Sequence, residues 1–203
     1  MRRAAPTGRS PKLAHFEQRQ SVQWEKKKQI AHRAAELIDD GDTLVLDGGS
    51  TTYELAQLLV GRALQVVTNS LPVASLFTAS ANSDLVLIGG YVHTKTGVCI
   101  GPYANKMLES LNVRRAILSV AGVADDGLYN SNLLLVETER AMISAADEVI
   151  VVADSTKFGH KSLAKLCGLE EIDAMVVDNE LSQEWQAKIE AAGVRLELAG
   201  GCQ

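Results

Sequence analysis

Leu44-Val45-Leu46-Asp47-Gly48-Gly49-Ser50-Thr51-Thr52 reads as the end of a strand, a small-residue turn and the start of a helix. An apolar, β-prone run stops at an aspartate, two glycines free the backbone to turn sharply, and a helical pattern follows from Tyr53 to Leu59. Backbone N–H groups at such a turn converge on one concavity, and the helix dipole adds partial positive charge. A phosphate or carboxylate is therefore its natural occupant. The hydroxyls of Ser50, Thr51 and Thr52 add donors, and Asp47 can accept from a sugar hydroxyl. A tight βα turn with Ser50 as a plain N-cap is the alternative.

Outward from this stretch the pattern repeats. Strand Thr43 to Asp47 is followed by helix Thr52 to Leu59, strand Leu64 to Thr68 by helix Leu71 to Ala79, and strand Asp84 to Ile88 by Gly89-Gly90. Short apolar strands alternating with helices predict an α/β fold, a mostly parallel Rossmann-like sheet with helices on both faces. Tyr91 to His93 and Val98 to Ile100 read as a hairpin turning at Gly97, and Pro102 opens a helix to about Leu111. A strand at Ala116 to Val120 leads into a loop, Ala121 to Asn132, and then a helix from Leu133 to Ala146. Glu148 to Asp154 is the clearest buried strand and also ends in aspartate and a polar turn, Ser155 to Gly159. The tail adds a strand at Ala174 to Asp178, a helix at Ser182 to Ala192 and a strand at Val194 to Leu198.

The front of the chain differs. Residues 1–20 mix Pro6, Gly8, Ser10 and Pro11 with scattered charges and read as a basic linker, and a helical pattern sets in near Ser21, so the domain is placed at 21–203. Residues 1–33 carry a balance of +7 and the remainder −12. Such an acidic body is a poor nucleic-acid surface, and the basic leader holds no complete DNA-reading module, so Lys26 to Lys28 read as a solvated helix face. No apolar run reaches the roughly 18–20 residues of a membrane span, and no secretory signal opens the chain. Three cysteines, Cys99, Cys167 and Cys202, without metal-ligand spacing suggest a reducing, cytoplasmic setting. His15, His32, His93 and His160 form no cluster, and neither a metal nor a cofactor is expected.

Polar clusters follow five predicted strands: Asp47 to Thr51, Thr68-Asn69-Ser70, Gly89-Gly90, Ala121-Gly122 and Asp154 to Lys157. In an open parallel sheet ligands bind at that edge. Lys157 is the single cation among these loops, suited to a phosphate, whereas Asp47, Asn69 and Glu137 suit hydroxyl groups. A phosphorylated sugar or sugar alcohol satisfies both sets. The turn lacks the third glycine and the spacing of G-x-G-x-x-G, and no G-x-x-x-x-G-K-[ST] run exists. Sugar-phosphate isomerisation stays open, since Glu137 or Asp47 could act as a base.

Lys28 to Ala31 with Ala34-Ala35, Asp42-Thr43, Asp47 to Thr52, Val67 to Ser70, Gly89-Gly90, Gly101, Asp154 to Gly159 and Ile172-Asp173, in this order, resemble the C-terminal sensor domain of the DeoR family of bacterial transcriptional regulators. The resemblance runs from about residue 12 to residue 200. It implies a fold similar to ribose-5-phosphate isomerase, glucosamine-6-phosphate deaminase and the CoA transferases, with regulation rather than catalysis as the role. It implies a phosphate cradle at Gly49, Ser50, Thr51 and Thr52. Asp47, Asn69, Ser70 and Gly90 would line the sugar pocket, with Glu137 and Lys157 reaching in from the later loops; Gly48, at a position that varies, and Gly89 are counted with the ligand-binding residues. Thr156 stands where a serine is common. The family's winged helix-turn-helix is absent from these 203 residues, so operator DNA would be reached only through a reader outside them. A homo-oligomeric repressor is the implied parent; a sugar-phosphate isomerase or deaminase is the alternative.

Overall fold

A computed structural model describes residues 16–200. Its helices are α1 (Phe16–Ser21), α2 (Trp24–Ala35), α3 (Ser50–Leu59), α4 (Leu71–Phe77), α5 (Pro102–Leu108), α6 (Leu133–Ser144) and α7 (Gln183–Ala191). The strands β1 (Thr43–Leu46), β2 (Gln65–Thr68), β3 (Asp84–Leu87), β6 (Val113–Ser119), β9 (Ala146–Ala153), β11 (Ala174–Asp178) and β12 (Arg195–Ala199) form one sheet. Its order is β12-β11-β9-β6-β1-β2-β3, and every pairing is parallel. The hairpin expected at Tyr91 to Ile100 is present as β4 (Tyr91–His93) and β5 (Val98–Ile100).

Side chains alternate across the sheet, as the two-residue period of a strand requires. Leu44, Leu46, Ile117, Ile150, Val152 and Val176 face α2, α3 and α4, where Ile30, Ala34, Leu55, Leu59 and Phe77 close one core. Val45, Leu118, Val149, Val151, Met175 and Val177 face Leu108, Val136, Met142 and Ile189 of α5, α6 and α7 in the other. A strand buried on both faces has no polar face to show, which is why these runs read as continuous apolar segments.

Two expectations need correction. The segment Ala121 to Asn132 is not an open loop: β7 (Gly122–Ala124) and β8 (Gly127–Asn130) form a hairpin, completed by β10 (Ala164–Cys167) into a three-stranded antiparallel sheet. Its glycines serve close approach, since a Cβ on Gly122 would lie 2.4 Å from the His160 carbonyl oxygen and one on Gly127 2.2 Å from that of Cys167. The leader is corrected as well. Residues 1–15 of the expected linker, with His15 and Cys202, lie outside the described residues, but Phe16 to Gln20 are helical. Between α1 and α2 the chain turns at Gln23, whose φ of 54° is the one left-handed value at a non-glycine position among the described residues.

Candidate functional site

The sheet grows one way from β1 through β2 and β3, and the other way from β6 to β12, so β1 and β6 flank its switch point. Asp47 follows β1 there and is buried. Its Oδ1 accepts from the Gly49 N–H at 3.0 Å, and its Oδ2 accepts from the Ser119 N–H and Oγ–H, each at 2.8 Å. Burial pushes the Asp47 carboxyl above its usual pKa, and these bonds oppose the shift. With three bonds already accepted, Asp47 ties the turn to the end of β6.

The two glycines are needed for space, not for turning. Gly49 has φ −75°, which any residue adopts, and Gly48 also stays out of the left-handed region. A Cβ on Gly48 would stand 2.0 Å from Val98 Cγ1, and one on Gly49 1.7 Å from Ser119 Oγ. Gly49 rather than Ser50 is the N-cap of α3, and no side chain caps that helix. Its first-turn residues Ser50, Thr51 and Thr52 are all buried. By contrast Ser70, Asn132 and Ser182 each cap their own helices.

Buried polar atoms without hydrogen bonds collect here. Among the described residues Asn69 Oδ1 has no partner, although its Nδ2 donates to the Cys99 carbonyl at 2.8 Å, and Thr52 Oγ1 makes no bond of ordinary geometry, although it lies close enough to the Asp47 carboxylate to hold its pKa down. Such atoms are costly to bury unpaired, by about 1–3 kcal/mol each. Ser70 Oγ accepts from the Val73 N–H at 3.3 Å as the cap of α4. Gly89 and Gly90 follow the outermost strand β3, and Gly90, φ 149°, passes close to the Ile100 carbonyl.

The acid expected to reach in from α6 is not the one the helix buries. Glu137 is exposed; Glu139 is buried, and Asn130 Nδ2 donates to both its oxygens, at 2.8 and 2.7 Å. Two residues on a helix are about 200° apart, so only one of the pair can face inward. The signal was present, because Val136, Glu139 and Met142 share the apolar stripe at three-residue spacing. Asn130 also donates to the Ser119 carbonyl at 3.2 Å, which joins Glu139 to the Asp47 side of the site.

Lys157 is not alone. It is partly buried, with Nζ 3.9 Å from Asp154 Oδ2. Nor are the α2 lysines a solvated face: Lys27 is buried and donates to the Arg19 carbonyl, Lys26 bonds Ser155 Oγ at 2.8 Å and pairs with Asp178 at 3.2 Å, and Lys28 lies over the Trp24 ring. Burial draws Lys27 down to about 8, with Asp154 opposing and Lys157 and Arg19 adding to the shift. Arg19 itself reaches over the turn, its Nη2 3.5 Å from the Gly48 carbonyl, and feels the charges of Asp47 and Glu139. Surface hollows lined by Asp125, Asp126 and Trp185 share none of these residues.

Burial first, and the Asp47 charge second, hold the Glu139 carboxyl well above its ordinary 4.5. A raised acid favours the fold while protonated, so that contribution is complete below about 4.5 and is lost as pH rises through the folded value. Glu139→Gln should therefore gain stability relative to the parent as pH rises from 5 to 8, read by urea denaturation at each pH. A difference independent of pH would mean that Glu139 stays ionised throughout.

Among the described residues no group of three His, Cys, Asp or Glu side chains is placed to hold a metal ion, and no helix is long and apolar enough to cross a membrane. Solved structures agree with the fold alone. Ribose 5 phosphate isomerase A from Neisseria gonorrhoeae superposes with a TM-score of 0.51 at 17% identity, over 68% of this chain and 55% of that one. eIF2B beta from Chaetomium thermophilum gives 0.51 at 14%, over 74% and 48%. Sequence relatives go further. The HTH-type transcriptional regulator IolR of Bacillus subtilis (strain 168) is 31% identical over 85% of this chain and 70% of its own length. An uncharacterized HTH-type transcriptional regulator, YulB, of the same strain is 30% identical over 82% and 65%, so the present chain spans just under two thirds of that relative. UlaR of Escherichia coli O1:K1 / APEC, another HTH-type transcriptional regulator, is 25% identical over 95% and 76%. These are names of regulators, not of enzymes. Residues 22–179 match the DeoR C terminal sensor domain, and the chain belongs to the DeoR family.

Proposed function

We propose that this chain is the effector-binding portion of a cytoplasmic, homo-oligomeric repressor, and that its site takes a phosphorylated sugar or sugar alcohol. The observation that carries this reading is the start of α3, a buried first turn without a side-chain cap, with the unpartnered Asn69 Oδ1 buried at the end of the neighbouring strand β2 among the described residues. A phosphate accepts from such a turn and is favoured by the helix dipole. Lys157 and Lys27 supply positive charge nearby, and Asn69 Oδ1 and Glu139 suit hydroxyl groups. Occupancy then selects one arrangement of the sensor domains and alters how operator DNA is held by a reader outside these residues.

A thermal-shift screen against sugar phosphates, polyol phosphates and their unphosphorylated parents, with product analysis of each hit, tests this reading. A phosphorylated hit recovered unchanged supports it, whereas conversion would restore the isomerase or deaminase alternative. Lys157→Ala should weaken a phosphorylated hit more than its unphosphorylated parent, by roughly 1.5–3 kcal/mol. Equal weakening of both by titration calorimetry would remove Lys157 from the phosphate.

A further inference from the structure

Arg19 stands ahead of the residues matched to the sensor domain, which begin at 22, yet its side chain enters the site. Three contacts hold α1 against α3, the β4–β5 turn and α2. The Phe16 ring packs edge-on against Tyr53 of α3 with centroids 5.3 Å apart, the Phe16 N–H donates to the Lys95 carbonyl in the β4–β5 turn at 3.1 Å, and Lys27 donates to the Arg19 carbonyl. The left-handed Gln23 makes the bend that permits this return.

The guanidinium is poorly satisfied where it lies. Among the described residues Nε is buried with no hydrogen-bond partner, and Nη2 has only the 3.5 Å contact to the Gly48 carbonyl. These two nitrogens form one edge of the planar group, the edge that binds an oxyanion with two parallel bonds. That edge is at the Gly48–Gly49 turn, against the start of α3. Desolvation outweighs the attraction of Asp47 and Glu139, so the charge is held at a cost that a bound anion would offset.

We propose that α1 is a strap held by the ligand: Arg19 binds the anionic group through its Nε–Nη2 edge, so that occupancy fixes α1 against α3 and the β4–β5 turn. This rests on the anion-binding reading of the turn and adds that the segment ahead of the sensor domain is part of the site. Whatever is joined ahead of α1 then receives the binding signal directly, without a relay through the sheet.

The test uses the full 203-residue chain with inorganic phosphate, ribose 5-phosphate and ribose as probes, read by calorimetry and by amide hydrogen exchange at 16–21 and 50–53. The expected result is that phosphate or ribose 5-phosphate slows exchange in both segments, and that Arg19→Gln weakens it about 10- to 100-fold and abolishes protection at 16–21. Phe16→Ala, which leaves the guanidinium intact, should lower protection at 16–21 and weaken binding less than Arg19→Gln. Binding that protects 50–53, leaves 16–21 unchanged and is indifferent to Arg19→Gln overturns the strap while the phosphate site stands. Failure of both anions to bind the parent chain overturns the phosphate site and the strap together.

Discussion

Gly49→Ala is expected to abolish binding of phosphorylated ligands while costing the fold about 2–3 kcal/mol. The added methyl would stand 1.7 Å from Ser119 Oγ and 2.5 Å from Ser119 Cβ, so one of the two must move. If Ser119 moves, the Oγ–H bond to Asp47 is lost and the carboxylate that fixes the turn loosens. If the turn moves, the first N–H groups of α3 leave the position they hold at the switch point. Either way the donors no longer converge on one place, and preorganisation is what such a site offers an anion. The comparison variant is Gly89→Ala, whose Cβ would meet nothing within 4 Å. It should change stability by less than about 0.5 kcal/mol. Chemical denaturation and the ligand screen on both variants decide the matter. A Gly49→Ala protein that binds like the parent would place the anion elsewhere.

Most of the sheet was legible in the sequence because each parallel strand is a short apolar run stopped by a polar turn, as at Leu44 to Asp47 and Val149 to Asp154. The hairpin β7–β8 was not, because Gly122, Gly127 and Asn130 carry turn chemistry at positions that are in fact paired and buried. At the candidate site, the turn Asp47 to Thr52 was legible as a strand end, a small-residue turn and a helix start, but its glycines were credited with flexibility when they provide clearance. The burial of Glu139 and Asn130 beside one another was missed through a helical phase error and an unseen strand. The reach of Arg19 to the Gly48 carbonyl and the burial of Lys27 were missed for a different reason: both depend on the bend at Gln23 and on α1 packing against α3, long-range packing that no local pattern records. The place of Lys157 after a strand was legible, whereas a buried lysine inside a basic run looks like any solvated one.

The opposite edge of the sheet supplies the other large effect. Asp42 is buried just before β1, accepts from the guanidinium groups of Arg114 and Arg115 of β6, and takes the Asp39 N–H at 3.0 Å. Arg115 Nε reaches Glu148 of β9 at 2.6 Å, and Glu148 receives Arg195 of β12 at 3.0 Å. Four strands are thus clipped together at their N-terminal end, with Arg115 itself mostly buried. Removing one partner from a buried ion pair leaves the other charge without compensation, which typically costs about 3–5 kcal/mol. Asp42→Ala should lose that much in urea unfolding, a large share of an ordinary domain's stability. It should nevertheless bind ribose 5-phosphate or any other screen hit with parental affinity at temperatures where it stays folded, because the Gly49 turn and Arg19 are at the far ends of the same strands. Gly49→Ala should show the reverse balance, a smaller loss of stability and a complete loss of binding. If instead the two variants lose affinity in parallel with stability, binding would be tracking the integrity of the whole sheet, and the assignment of the anion to the Asp47 to Thr52 turn would fall.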